Sequence, residues 1–333
     1  SRGYEYVRDG NPNRLGLERA MCALEQGEWA VAFASGTAAT ASVFRAAAAR
    51  GHIVSSKAAY HGTLKQVGAM AGDGIARMVD TTDMETVHAA LEDDVARLFI
   101  ETPANPMMGI SDLAGLIAMA HERGVAVACD NTFATPVLQN PLAMGADLVV
   151  HSSTKYLGGH SDLMGGVVVG RKDDARGQSL RDIRSVGGAV PSPFDCWLLS
   201  RSLATLPIRV RTQSGSALLV AQFCAARPEI EAVLYPGLVD HPGHEIALRQ
   251  MRGSGGMLSI RLEGGAEAAM AVAAKVSLFK RATSLGGVES LIEHRASVEG
   301  PGTDTPDDLL RLSIGLEHPD DLIMDLGQAL DSV

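Results

Sequence analysis

The chain has 333 residues, 46% of them hydrophobic and 20% charged, with a formal net charge of -10. That balance excludes a disordered chain, a coiled coil and a collagen-like repeat, and the net negative charge works against nucleic acid and anionic membranes as partners. The length favours about two domains, and no apolar run approaches the ~20 residues that span a bilayer.

The chain opens on Ser1, and no signal peptide is read at its start. Cys22, Cys129, Cys196 and Cys224 form no C-x-x-C pair and no zinc-like spacing with histidine. They are expected to be incidental thiols in a reducing cytoplasm. Gly is abundant at 36 residues, whereas aromatic residues make up 4%, with 5 Tyr. Such a chain packs backbone closely, and each tyrosine it keeps calls for a reason.

In chain order, Gly16 to Glu25 reads as a helix and Trp29 to Phe33 as a short apolar strand. Ser35-Gly36-Thr37 then opens an Ala-rich helical stretch that runs to Arg50. Further strands are expected at Ile53-Val54, Arg97 to Glu101, Val125 to Asp130, Asp147 to His151 and Gly166 to Gly170, with a helix at Leu113 to Glu122. Strands this apolar are buried on both faces, and their alternation with helices predicts a three-layer α/β domain with a mostly parallel sheet. The pattern changes after Gly188. A long helical stretch from Asp195 to Ala226, broken near Pro207, leads to a strand at Met257 to Leu262 and helices at Ala266 to Val276 and Asp320 to Leu330. These predict a second, smaller α+β domain, with the boundary inside the long helix.

The most informative segment is Val149-Val150-His151-Ser152-Ser153-Thr154-Lys155-Tyr156-Leu157-Gly158-Gly159-His160. An apolar strand ends, and a lysine flanked by hydroxyls and glycines follows. In open α/β sheets ligands bind beyond the carboxyl ends of the strands, where partial desolvation can free a lysine amine as a nucleophile. A surface lysine at a turn would explain neither the hydroxyls nor the glycine pair. Asp130 ends another strand in Cys129-Asp130-Asn131-Thr132. Alone it reads as a turn former. Beside the lysine it fits an enzyme in which lysine holds pyridoxal phosphate as a Schiff base and aspartate pairs with the protonated ring nitrogen. Ser35-Gly36-Thr37, at the start of a long helix, suits a phosphate, although it also reads as a plain Ser N-cap.

These segments resemble the Cys/Met-metabolism (trans-sulfuration) family of pyridoxal-phosphate enzymes, which includes cystathionine γ-synthases, cystathionine lyases, methionine γ-lyases and O-acylhomoserine sulfhydrylases. The resemblance runs through Tyr6-Val7-Arg8-Asp9-Gly10-Asn11-Pro12, Ser35-Gly36-Thr37-Ala38 and Glu101-Thr102-Pro103-Ala104-Asn105-Pro106. It continues through Asp130 to Pro136, the Lys155 segment, Ser284-Leu285-Gly286-Gly287-Val288-Glu289-Ser290-Leu291 and Leu310 to Glu317. It implies a fold type I, aspartate-aminotransferase-like architecture. Residues 10–200 would form a large cofactor domain, 201–333 a small C-terminal α+β domain, and 1–9 the remnant of an N-terminal arm.

The resemblance also implies roles. Lys155 would carry the cofactor as an aldimine and shuttle protons, and Asp130 would pair with the pyridine nitrogen. Tyr60 would stack on the ring and serve as an acid or base. Ser35, Gly36, Thr37, Ser152 and Thr154 would bind the phosphate, with Thr132 also at the cofactor. Asn105 would lie near the ring oxygen and the substrate, Arg311 would grip the substrate α-carboxylate, and Ser284 would lie near the same group. Tyr6 and Arg8 would reach the cofactor phosphate of a neighbouring subunit, implying a homodimer at least and usually a homotetramer. No metal is expected.

The implied reaction is γ- or β-elimination from a small sulfur- or O-substituted amino acid, giving a 2-oxo acid and ammonia. The alternatives are γ-replacement, as in a cystathionine γ-synthase or an O-acylhomoserine sulfhydrylase, and a cystathionine γ-lyase. Thr283 stands where family members that handle cystathionine usually carry a glutamate, which argues for a substrate without a distal ammonium. Gly62 stands where methionine γ-lyases often have cysteine. His61 reads equally as a neighbour of Tyr60 and as a packed histidine, and Arg295 as an extra cation near the entrance and as a surface arginine. A nucleotide-binding oxidoreductase is disfavoured, because no G-x-G-x-x-G follows the early strands. A non-catalytic binding protein is disfavoured by the intact set of Lys155, Asp130, Tyr60 and Arg311.

Overall fold

Short, mostly apolar runs of four to seven residues build the larger of two sheets. The computed structural model describes residues 3–300 and 304–333. The larger sheet comprises β1 (Trp29–Phe33), β2 (His52–Ser56), β3 (Ala76–Val79), β4 (Val95–Glu101), β5 (Ala126–Asp130), β6 (Leu148–Ser152) and β7 (Gly166–Gly170). Their spatial order is β1-β7-β6-β5-β4-β2-β3. Only β7 runs against the others, pairing antiparallel with both β1 and β6. The sheet is therefore mostly parallel, as the helix-strand alternation predicted. Val31, Phe33, Val149, Val150 and Val167 to Val169 are fully buried, with apolar clusters on both faces of the sheet. This is why these strands read as continuous apolar runs.

Local chemistry sets the helix starts. The first helix spans Pro12–Glu25 and begins ahead of the expected Gly16. Asn11 accepts from the Asn13 and Arg14 amides, and proline stands at the first helical position, where its missing N–H costs nothing. The helix Gly36–Ala48 is capped by Ser35, whose side chain accepts from the Ala38 amide. The expected break in the long helical stretch also has a local cause. One helix ends at Leu203 and the next, Leu206–Ala225, carries proline in its first turn.

The smaller sheet holds β8 (Ile230–Leu234), β9 (Met257–Leu262), β10 (Lys280–Arg281), β11 (Leu291–His294) and β12 (Leu309–Ser313), in the order β10-β11-β12-β9-β8. Side chains alternate between its faces. Leu258, Ile260, Leu310 and Leu312 join an apolar cluster with Val220, Val272, Leu322 and Leu326 of three helices. Arg311 and Ser313 therefore point to the opposite face, toward the larger sheet. The helix Leu206–Ala225 ties the two parts together. Its Arg209 donates to the carbonyls of Tyr156 at 2.7 Å and Ser202 at 3.1 Å, and its Gln213 donates to the Gly287 carbonyl at 2.7 Å. Gly159 has φ +68°, and a Cβ there would collide with the Arg209 guanidinium, so both the turn and the close approach require glycine.

Candidate active site

The neighbouring strands β4, β5 and β6 all end at one crevice. Register sets Glu101 beside Asp130 and Asp130 beside Val150, and the chain leaving β6 turns at once to Lys155. A cavity of about 390 Å³ opens there. Its walls include Ser35, Gly36, Thr37, Tyr60, Asn105, Asp130, Thr132, Ser152, Thr154, Lys155, Ser284 and Arg311. Twelve of the fourteen residues singled out from the sequence thus converge. Tyr6 and Arg8 do not join them. Tyr6 is 55% exposed, while Arg8 lies over its ring at 5.1 Å and donates to the Ser185 carbonyl at 3.1 Å.

Lys155 Nζ donates to Ser284 Oγ at 2.8 Å. Burial and the Arg311 charge pull the Lys155 amine down to about 8. Arg311 is 4% exposed, and its Nη1 donates to Asn105 Oδ1 at 2.8 Å and its Nη2 to the Ser284 carbonyl at 2.9 Å. Ser284 is thus gripped from both sides, at the unusual φ of 87° for a residue with a side chain.

Asp130 Oδ1 accepts from the Thr132 amide at 2.9 Å, and the Thr132 hydroxyl in turn accepts from the Ser152 amide at 2.9 Å. Burial raises the Asp130 carboxyl. Below the strand ends, His151 Nε2 lies 2.6 Å from Glu25 Oε1, both fully buried.

Tyr60 is half exposed and precedes the helix His61–Gly72. A Cβ on Gly62 would come within 2.5 Å of Tyr60 Cε1, so glycine is what lets the ring lie against the helix start.

Sequence reasoning placed Glu101 at a strand end and inside a motif but assigned it no role, yet it lines the cavity. It accepts from the Tyr60 amide at 2.8 Å and the Asn105 amide at 3.2 Å. Burial and the neighbouring Asp130 push its carboxyl up to about 8. The signal was its place at the end of a buried strand, but that β4 neighbours β5 was not readable. Thr283, His61 and Arg295 also line the cavity. Arg295 is 5% exposed, which excludes the surface-arginine reading.

The donor set fits pyridoxal phosphate. A buried carboxylate without a cationic hydrogen-bond partner suits a protonated ring nitrogen. A depressed lysine amine suits an aldehyde. The first amides of the helix Gly36–Ala48 have no intrahelical partner and suit a phosphate. A Cβ on Gly36 would come within 2.7 Å of Ser152 Cβ, so the backbone there approaches as closely as a phosphate cradle demands. Among the described residues no cluster of His, Cys, Asp or Glu could hold a metal.

A family model described as "Cys/Met metabolism PLP-dependent enzyme" matches residues 1–331. The chain belongs to this family. Cystathionine gamma-synthase of Mycobacterium tuberculosis is 46% identical over 336 residues, covering 98% of this chain and 86% of the relative. Cystathionine gamma-lyase of Dictyostelium discoideum is 38% identical, covering 98% and 87%. The crystal structure of cystathionine gamma synthase from Xanthomonas oryzae pv. oryzae in complex with cystathionine superposes with a TM-score of 0.95 at 40% identity, covering 99% of this chain and 88% of that one. The fold is fold type I, and the chain is a trans-sulfuration enzyme of the elimination or replacement class. No described helix is long and apolar enough to cross a membrane.

Proposed function

We propose that the cavity removes the γ-substituent from a small amino acid that lacks a distal ammonium, releasing a 2-oxo acid and ammonia. The observation that carries this reading is the cavity wall itself. Arg311 and Asn105 meet Lys155 through Ser284, while the uncharged Thr283 stands next along the wall.

Bound pyridoxal phosphate supplies an electron-withdrawing ring that takes up the electron pair released at the substrate α-carbon. Asp130 would hold the ring-nitrogen proton. Gly36 and Thr37 amides, with the Ser35, Ser152 and Thr154 side chains, would face the phosphate, and Thr132 would brace the floor between Asp130 and Ser152. The Arg311 fork would hold the α-carboxylate, with Asn105 fixing that fork. Lys155 Nζ, made less basic by burial and oriented by Ser284 Oγ, would take the α-proton and return it further along the chain. Tyr60 Oη would face the departing γ-substituent as an acid. Exposed Tyr6 and Arg8, lying off this cavity, support a homodimer at least in which they reach a neighbour's phosphate.

A second reading is favoured by a specific finding. The most similar relatives reported above include a γ-synthase, so a thiol could take the γ-position before hydrolysis. Product analysis separates the two. Ammonia and a 2-oxo acid formed from γ-substituted amino acids without added thiol support elimination. A product that appears only with thiol overturns it in favour of replacement.

A further inference from the structure

The β11–β12 register sets Glu293 directly opposite Arg311, and a Glu293 carboxylate oxygen lies 2.5 Å from Arg311 Nη2. Each side chain is 4% exposed. This is an awkward neighbour for a carboxylate-binding arginine. In a buried setting the pair interacts strongly, and a guanidinium already neutralised by one carboxylate attracts a second one weakly.

Arg295 changes that balance. Its Nη1 donates to both Glu293 oxygens at 3.3 Å, and its Nε donates to Glu299 Oε1 at 2.7 Å. Thr305 Oγ1 donates to Glu299 Oε2 at 2.7 Å, closing a row of alternating charge that runs Arg311, Glu293, Arg295, Glu299. Both arginines line the cavity, whereas Glu293 is not among its lining residues. Glu293 thus lies between two cavity-lining arginines without lining the cavity itself. The cluster is felt at the reactive amine, since Arg311 and Arg295 push Lys155 down and Glu293 pulls it up.

We propose that Arg295 is a positioning residue for the substrate α-carboxylate that acts through Glu293. It shares the Glu293 charge, so that Arg311 keeps positive potential toward the cavity. Arg295 is needed because Glu293 is there. This rests on the reading that Arg311 binds the α-carboxylate.

The test is a titration of holoenzyme with L-2-aminobutyrate and with 1-aminopropane, its counterpart lacking the carboxylate, followed by the cofactor absorbance. Arg295→Ala should weaken L-2-aminobutyrate at least about tenfold and leave 1-aminopropane within about twofold. The double variant Glu293→Ala/Arg295→Ala should return L-2-aminobutyrate to within about threefold of the parent, as paired removal of a buried charge pair restores balance. The proposal is overturned if Arg295→Ala binds L-2-aminobutyrate like the parent, if both probes weaken equally, or if the double variant binds no better than the single one. Should Arg295→Ala not fold, the double variant and Arg295→Lys decide. Both must bind L-2-aminobutyrate within about threefold of the parent, and a larger loss in either overturns the proposal. Arg311→Met separates the underlying reading: unchanged L-2-aminobutyrate binding there overturns the carboxylate assignment itself, whatever Arg295 does.

Discussion

Glu101 and Asp130 stand side by side at the ends of β4 and β5, two buried carboxyls paired directly across neighbouring strands. Glu101 keeps its proton up to about pH 8 in the folded chain, against about 4.5 when unfolded. Between those values the folded state binds more protons than the unfolded one, so this residue's contribution to stability is largest at low pH and falls as pH rises through that window. In cofactor-free protein, Glu101→Gln should flatten the fall in Tm between pH 5 and pH 8, by roughly several degrees. Thermal melts across that range check it, and an unchanged slope would contradict the assignment.

Lys155→Ala should abolish the cofactor's visible absorbance as a protein-bound Schiff base and lower turnover by at least roughly a thousandfold. A spectrum like the parent's would place the cofactor elsewhere.

Gly62→Ala puts a methyl within 2.5 Å of where Tyr60 Cε1 now lies. The ring must shift, while the helix that follows gains a better helix former. Turnover should fall by at least about tenfold with Tm nearly unchanged, the signature of a displaced reacting group. Steady-state kinetics beside a melt distinguish this from general destabilisation.

Thr283→Glu would place a carboxylate on the cavity wall. The parent should turn over L-cystathionine poorly compared with smaller γ-substituted amino acids, and the variant should narrow that gap by about tenfold or more. Efficient cystathionine cleavage by the parent would reject the argument from Thr283.

What was readable from sequence follows physical lines. Asp130 stands out because it ends an apolar run and Lys155 because it follows one within a few residues, and a buried strand that gives way to a charged or reactive residue announces a crevice. Ser35 was legible both as a cap and as a phosphate neighbour, and the structure shows the cap while keeping it on the cavity wall. Arg311 lies in Leu310-Arg311-Leu312, whose alternation fixes its face but not what it faces; only the resemblance supplied that. Glu101 and Glu293 escaped notice because their importance depends on register with Asp130 and Arg311, which no local pattern encodes. β3, β8, β10, β11 and β12 were not read as strands; β3 and β10 are short and carry exposed residues, Met78 in one and both residues of the other.

The helix Leu206–Ala225 holds the turn after Lys155 through Arg209 and the Gly286-Gly287 turn through Gln213. One helix therefore braces both the turn that follows the reactive amine and the wall that carries Ser284. On the other bank of the cavity, Tyr60 and His61 sit at the start of a helix that neither hydrogen bond reaches. Substitutions at Arg209 or Gln213 should therefore disturb Lys155 and Ser284 together while leaving the Tyr60 bank in place.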